Sequence, residues 1–209
     1  MSGEKTRRTI LDVRCQAAPD RLWRKISVPE GENLLSLSFF VLSAFGAEGN
    51  HLFELRYGGV RYVLFPEDVE EGDLSGFLRI GRDLPGAFGE EALLEETALS
   101  DLEAGEGEQM TLLYDFEHGH AFEITVGGPD AAGEGGMRVL SGEGKGILEE
   151  RTGEELKKAI AACDRAGGPV TLEDGTIWDI RDEAALTDDP KTAERAARML
   201  SDFLADGEE

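Results

Sequence analysis

The stretch NLLSLSFFVLSAF, residues 33–45, decides the fold of this 209-residue chain. Its apolar side chains recur at helical spacing and form two adjacent stripes, namely Leu34, Leu37, Val41 and Phe45, and beside them Leu35, Phe39 and Leu42. Glu32 or Asn33 can cap the start of a helix, and Gly46 stands where its end favours a left-handed residue. A helix that is apolar over so much of its circumference must be covered on more than one side, so we predict a central core helix.

Short β-rich runs separated by turn residues surround this helix in the sequence. Several of them alternate apolar and polar side chains, as half-buried strands do. Pro29 closes the second run, and Gly58-Gly59 permits a tight hairpin turn between the third and the fourth. The runs are residues 9–16, 22–28, 51–57, 60–65, 110–116 and 121–126. Strands with few helices between them predict an α+β fold, in which a mainly antiparallel sheet packs around one long apolar helix.

Residues 66–108 form an acidic insertion in this first part of the chain. Fourteen of their side chains are acidic, whereas only Arg79 and Arg82 are basic. A short helical pattern is present at residues 90–96. The later stretch 127–136 is rich in glycine and is predicted to be a flexible loop.

The last part of the chain predicts a helix, a β-hairpin and a second helix. Thr152 and Glu155 have the spacing of a capping box, which predicts the start of the first helix. An Asp-Gly turn separates two short strands, and Asp189-Pro190 has the form of a helix start. We therefore expect an α+β domain over residues 1–152 and a helix–hairpin–helix extension over residues 153–209.

The net charge of the chain limits the kinds of molecule that it is expected to bind. Lysine and arginine number 21 against 44 aspartate and glutamate residues, so the formal net charge is −23 at pH 7. Such a field repels phosphate backbones, so direct nucleic-acid binding is disfavoured and a protein partner with a basic surface is favoured. No stretch is long and apolar enough for a membrane span, and no signal peptide is expected. Cys15 and Cys163 do not form a secreted disulfide framework, so we expect a cytoplasmic protein.

Four blocks of the sequence resemble a known family in the same order. They are LWRKISVP at 22–29, the apolar helix followed by NHLFEL at 50–55, LYDF at 113–116, and the glycine-rich residues 141–150. Over about residues 6–152 the chain resembles the plasmid pRiA4b ORF-3-like proteins. That family is largely uncharacterised and is often encoded near mobile elements and plasmids, so the resemblance implies the fold more than an activity. Glu117-His118 stands where the family has Gly-Asp, so the polar chemistry of this hairpin is altered here.

All three histidines of the chain are candidates for one site. His118 and His120 are two positions apart, and residues so spaced on a strand project from one face. The pair could therefore hold a divalent metal, with His51 or a carboxylate completing the set of ligands. The alternative is an exposed turn without a ligand, because strand alternation fails in a turn.

Other candidate binding residues in the same region are charged. Asp115 lies between two aromatic residues and could pair with Arg24, since a buried charge needs an opposite partner. Glu117, in the turn that follows, is a further candidate. Glu149-Glu150 could offer paired carboxylates, but a role at the start of the following helix is the simpler interpretation.

No catalytic set or cofactor motif is recognised in the sequence. The stretch Gly142-Glu143-Gly144-Lys145-Gly146 lacks the spacing and the Ser or Thr of a phosphate-binding loop. We therefore expect a non-enzymatic binding protein, such as a mobile-element accessory protein, that meets its partner through the acidic surface and the loops near Asp115 and Gly142. The alternative is a metal-dependent hydrolase or transferase centred on His118, His120 and Asp115.

Overall fold

The computed structural model describes residues 7–64, 90–131, 135–181 and 190–206. The strands are β1 (Arg8–Cys15), β2 (Trp23–Pro29), β3 (Phe53–Tyr57), β4 (Val60–Val63), β5 (Glu91–Leu93), β6 (Gln109–Tyr114), β7 (His120–Pro129), β8 (Arg138–Glu143), β9 (Val170–Thr171) and β10 (Ile177–Trp178), and the α-helices are α1 (Leu34–Ala44), α2 (Gly153–Ala166) and α3 (Pro190–Asp206). In the described part of the chain, no helix combines the length and the apolar character needed to cross a bilayer.

Eight strands form one sheet, in the order β5-β4-β3-β6-β7-β1-β2-β8. Neighbouring strands are antiparallel except β4 and β5, which run parallel. The remaining strands, β9 and β10, form a separate hairpin. The α+β fold with a mainly antiparallel sheet, predicted from the sequence, is confirmed.

Helix α1 lies in the core, as its two apolar stripes predict. The side-chain oxygen of Asn33 accepts the backbone N–H of Ser36 at 2.8 Å and caps the first turn. Ten of the eleven residues of α1 are buried. The other two helices have 14 and 17 residues, so the expectation of a single long apolar helix is not confirmed.

The sheet covers one side of α1, and the C-terminal helix α3 covers another. Phe39 packs edge-on against Phe53 of β3, with ring centroids 5.1 Å apart, and meets Phe203 of α3 at 5.8 Å. The hydroxyl group of Ser43 donates to the carbonyl oxygen of Thr192 at 2.9 Å. The extension therefore shares the core of the preceding domain through both apolar and polar contacts.

The segment 90–96 does not form the short helix that its sequence pattern predicts. Glu91–Leu93 is β5, an edge strand parallel to β4. The backbone N–H of Leu94 donates to the carbonyl oxygen of Val63 at 3.0 Å. Pairing with β4 satisfies backbone groups that a helix of about two turns leaves open at its ends, and this outweighs the helical propensity. Residues 66–89 of the predicted acidic insertion lie outside the described residues.

Strand pairing also extends through segments that the sequence suggests are loops. β7 continues to Pro129, so the loop predicted over 127–136 begins later than expected. Gly127 suits the strand because a Cβ atom there would lie 2.9 Å from the backbone oxygen of Ile10 on β1. Next in the chain, β8 pairs with β2 and forms the second edge of the sheet. Residues 132–134 lie outside the described ranges.

The C-terminal elements follow their sequence signals. Thr152 and Glu155 form the predicted capping box, with the backbone N–H of Thr152 donating to the carboxylate at 2.9 Å. Helix α2 ends at Gly167, whose φ of 64° supplies the left-handed residue. β9 and β10 form the predicted hairpin, and α3 begins at Pro190. Asp189, predicted to precede it, lies outside the described part of the chain.

Candidate binding site

Arg24 lies in the core and does not contact Asp115, the partner suggested for it by the sequence. Its buried guanidinium group donates to the carbonyl oxygens of Ala44 at 2.9 Å, Glu143 at 2.6 Å and Gly144 at 2.6 Å. Burial lowers its pKa to about 10. Carbonyl dipoles, including one at the C-terminal end of α1, stabilise this cation in place of a carboxylate. Arg24 therefore joins β2, α1 and β8 as a structural residue.

The glycine-rich stretch after β8 passes close to this arginine and to the end of α1. A Cβ atom at Gly144 would overlap the backbone oxygen of Arg21, and one at Gly146 would overlap that of Phe45. These two glycines also have positive φ angles, of 79° and 142°. Close packing against neighbouring backbone accounts for them without a phosphate ligand.

Asp115 is at the centre of a group of polar side chains at the turn between β6 and β7. Its side chain is 3% exposed, and its Oδ2 atom lies 2.7 Å from Nδ1 of His118. Its Oδ1 atom accepts the backbone N–H groups of Glu117 at 3.2 Å and His118 at 3.3 Å. Asp115 has a left-handed φ of 54°, which is unfavourable for a residue with a Cβ atom, and these hydrogen bonds hold it there.

Electrostatic interactions favour the charged forms of both Asp115 and His118. Burial raises the pKa of Asp115, but hydrogen bonds from His118 and the charges of His51 and His118 outweigh burial and leave the pKa below its ordinary 3.8. Burial lowers the pKa of His118, but the hydrogen bond and the charge of Asp115 outweigh it. With the added charges of Glu117 and Glu150, the pKa of His118 lies above its ordinary 6.5. The two groups therefore stabilise each other as an ion pair.

The Nε2 atom of His51 is surrounded by three carboxylates. It lies 3.0 Å from Oε1 of Glu150, 3.8 Å from Oε1 of Glu149 and 3.9 Å from Oδ2 of Asp115. Glu149 and Glu150 lie between β8 and α2, so the group combines three distant parts of the chain. The His51 side chain is 27% exposed, so solvent reaches the carboxylates from this side.

Tyr114 connects these carboxylates to the core. The residue is completely buried, and its hydroxyl group donates a short hydrogen bond to Oε1 of Glu149. The hydroxyl oxygen accepts the backbone N–H of Gly49 at 3.1 Å. Burial, then the hydrogen bond and the charge of Glu149, raises the pKa of Tyr114 strongly. The hydroxyl group therefore stays protonated and fixes the position of the carboxylate.

His120 is buried beside Tyr114. The two residues are directly opposite each other on β6 and β7, and their rings are stacked with centroids 6.4 Å apart. His120 is 2% exposed, and neither ring nitrogen has a hydrogen-bond partner among the described residues. Loss of hydration lowers its pKa, although the charge of Asp115 and a backbone contact with Leu148, which lies outside hydrogen-bond geometry, act in the opposite direction. A buried polar ring without a partner is rare in folded proteins and calls for an explanation.

The contacts of His118 and His120 differ from those expected of a metal-binding pair. The ring of His118 bonds Asp115 within the turn, whereas that of His120 is buried on β7. Across the described ranges, no group of three or more His, Cys, Asp or Glu side chains is arranged to hold a metal ion. A divalent metal at these histidines therefore stays a prediction that the contacts do not support.

Charge pairing distinguishes this region from the rest of the molecule. We refer to His51, Tyr114, Asp115, His118, His120, Glu149 and Glu150 as the Asp115 cluster. Within the described residues, its carboxylates form ion pairs with histidine and none with lysine or arginine. Elsewhere buried carboxylates are paired with arginine, as Glu54 is with Arg61 at 2.8 Å. The cluster therefore has a surplus of negative charge.

The structure brings together most of the candidate residues that the sequence suggested. The three histidines and Asp115 all lie in the cluster, whereas Glu117 is exposed in the turn and Arg24 lies in the core. The sequence interpretation placed Glu149 and Glu150 at a helix start and did not connect them with the histidines. The available signal was the set of family-like blocks, because three of them supply all of the cluster except His118 and His120.

Comparison with known proteins places the chain in a family. A crystal structure of a protein of unknown function, MM3350 from Methanosarcina mazei Go1, is similar with a TM-score of 0.58 and 15% identity, over 76% of this chain and 82% of that chain. At this identity the similarity shows the fold alone. No curated protein matches the chain. Residues 8–165, which include most of α2, match the family described as plasmid pRiA4b ORF-3-like protein. The chain therefore belongs to the plasmid pRiA4b ORF-3-like family, whose function is unknown.

Proposed function

We propose that this protein is a non-enzymatic binding module that takes a cationic side chain of a basic protein partner at the Asp115 cluster. One observation supports this most strongly: three carboxylate oxygens lie within 3.9 Å of the Nε2 atom of His51. No lysine or arginine of the described residues neutralises them. The net charge of −23 adds a long-range attraction for a basic surface and repels nucleic acid.

Two of the three carboxylates, those of Glu149 and Asp115, are held in place before any partner arrives. The backbone N–H of Glu48 donates to Oε2 of Glu149 at 3.3 Å, while Tyr114 donates to Oε1. Asp115 is held by the turn that follows it. Acceptors fixed in this way bind a cation without first losing side-chain freedom, which favours affinity.

Fluorescence anisotropy with a labelled octalysine peptide tests the proposal. Replacing Glu149 and Glu150 together by glutamine removes two charges from the cluster, and replacing the exposed pair Glu95 and Glu96 is the matched control. We expect the first variant to weaken binding about tenfold or more and the control less than about twofold, because pairing at contact distance exceeds a screened long-range field. Equal effects of the two variants, or none, would contradict the proposal, since binding would then follow net charge alone.

A further inference from the structure

The ring of His51 occupies the position in the Asp115 cluster where a bound cation would lie. Of its three carboxylate neighbours, only Oε1 of Glu150, at 3.0 Å, is within hydrogen-bond distance. The oxygens of Glu149 at 3.8 Å and Asp115 at 3.9 Å attract the ring without bonding to it. His51 therefore fills the space between the three carboxylates but forms a hydrogen bond with only one of them.

Three acceptor oxygens around one point suit an ammonium group better than a guanidinium group. The ammonium group of lysine has three N–H donors on one compact nitrogen, whereas the donors of arginine lie in a plane and match one carboxylate side by side. An imidazole ring offers one donor at Nε2. A primary ammonium group can therefore satisfy oxygens that His51 leaves unbonded.

A second observation, independent of the carboxylates, points to a ligand at the same place. His120 is 2% exposed and lacks a hydrogen-bond partner among the described residues. It stacks on Tyr114, whose hydroxyl group bonds Glu149, and it interacts with the charge of Asp115 and with those of the other two histidines. A buried imidazole without a partner gains a hydrogen bond when a polar group enters beside it.

We propose that His51 is an internal placeholder that the ammonium group of a lysine side chain on the partner protein displaces. The inference rests on the proposed function. It adds that the bound group is a primary ammonium group and that the His51 ring controls access to the carboxylates of the Asp115 cluster. His51 precedes β3 and its side chain is 27% exposed, so the ring can turn toward solvent. The lysine then lies between Glu149, Glu150 and Asp115 in its place.

Anisotropy titrations of the full chain with octalysine and octaarginine test this inference. We expect His51→Ala to bind octalysine about fivefold more tightly than the wild type, because no ring has to be displaced. Lys25→Ala removes an exposed positive charge on β2 and should change the affinity less than about twofold. The wild type should prefer octalysine to octaarginine by at least about threefold.

Each outcome of these titrations supports or overturns a defined part of the inference. His51→Gln is the second variant in case His51→Ala unfolds, and it should change affinity in the same direction. Unchanged or weaker octalysine binding by the folded His51 variants overturns the placeholder, and a preference for octaarginine overturns the ammonium group. If free spermidine binds more tightly than octalysine, the bound ammonium group does not come from a lysine of a protein, and this part of the inference is overturned. The variant lacking the Glu149 and Glu150 charges separates the two proposals: if it loses octalysine binding the proposed function stands, and if it does not both fail.

Discussion

Arg24 and His120 are both buried polar side chains, yet their surroundings differ. Arg24 donates to backbone carbonyl oxygens of α1 and of the chain after β8, whereas His120 has no partner in the described part of the chain. The alternation over residues 22–28 places Arg24 among inward-facing apolar residues, so its burial could be predicted. Its partners could not, because backbone carbonyl groups have no signature in a sequence.

His120 predicts a loss of stability in acid. Burial lowers its pKa in the folded chain below the ordinary 6.5, so the unfolded chain takes up a proton more readily as the pH falls through that value. The contribution of His120 to the free energy of unfolding should therefore fall between about pH 7.5 and about pH 5.5, while that of His118 rises. We expect His120→Leu to become more stable relative to the wild type as the pH falls through this range, as measured by urea denaturation. The same pH dependence in the two proteins would contradict a neutral, buried ring.

His118 is the internal control for this measurement because its shift has the opposite sign. Its pKa is raised in the folded chain, so the stability from its ion pair with Asp115 is present below the ordinary 6.5 and is lost as the pH rises through the raised pKa. His118→Gln should therefore be most destabilised, relative to the wild type, at the acidic end of the same range.

Elements with their own local signals could be predicted from the sequence. The stripes of α1, the capping box of α2 and the glycine turn between β3 and β4 depend on neighbouring residues only. The edge strands β5 and β8 lack such signals, since β5 has the composition of a helix and glycines follow β8. Their conformation depends on pairing with β4 and β2, which are distant in the chain.

After β8 the chain passes close to Arg24, so we expect substitution of Gly144 to lower the free energy of unfolding. This residue has a φ of 79°, and a Cβ atom there would overlap the backbone of Arg21. Gly58, with a φ of 60° and no atom within 4 Å of its Cβ position, is the matched control. We expect Gly58→Ala to lower the free energy of unfolding by about 1 kcal/mol and Gly144→Ala by about 3 kcal/mol or more, as measured in urea. Similar losses of unfolding free energy in the two variants would show that the close approach of Gly144 to the backbone of Arg21 does not matter for stability.

The whole molecule assembles its candidate site from three segments separated by more than twenty residues each. They are the segment before β3, the turn between β6 and β7, and the connection from β8 to α2. The sequence marked His51, His118, His120 and Asp115 by residue type, but an acidic pair such as Glu149-Glu150 is unremarkable in a chain with 44 acidic residues. The pairing of β3, β6 and β7 brings the segment before β3 to the β6–β7 turn. Hydrogen bonds of Glu149 with Tyr114 and with the backbone of Glu48 add the connection from β8 to α2.

An NMR titration of the isotope-labelled protein with octalysine measures most directly whether the Asp115 cluster is the binding site, because it identifies the residues that meet the cation. We predict the largest chemical-shift changes in the ring of His51 and in the amides of residues 114–120 and 148–150. The amides of the exposed Glu95 and Glu96 should change little. Changes spread evenly over the acidic surface, with the cluster no more affected than Glu95 and Glu96, would contradict a binding site at the Asp115 cluster.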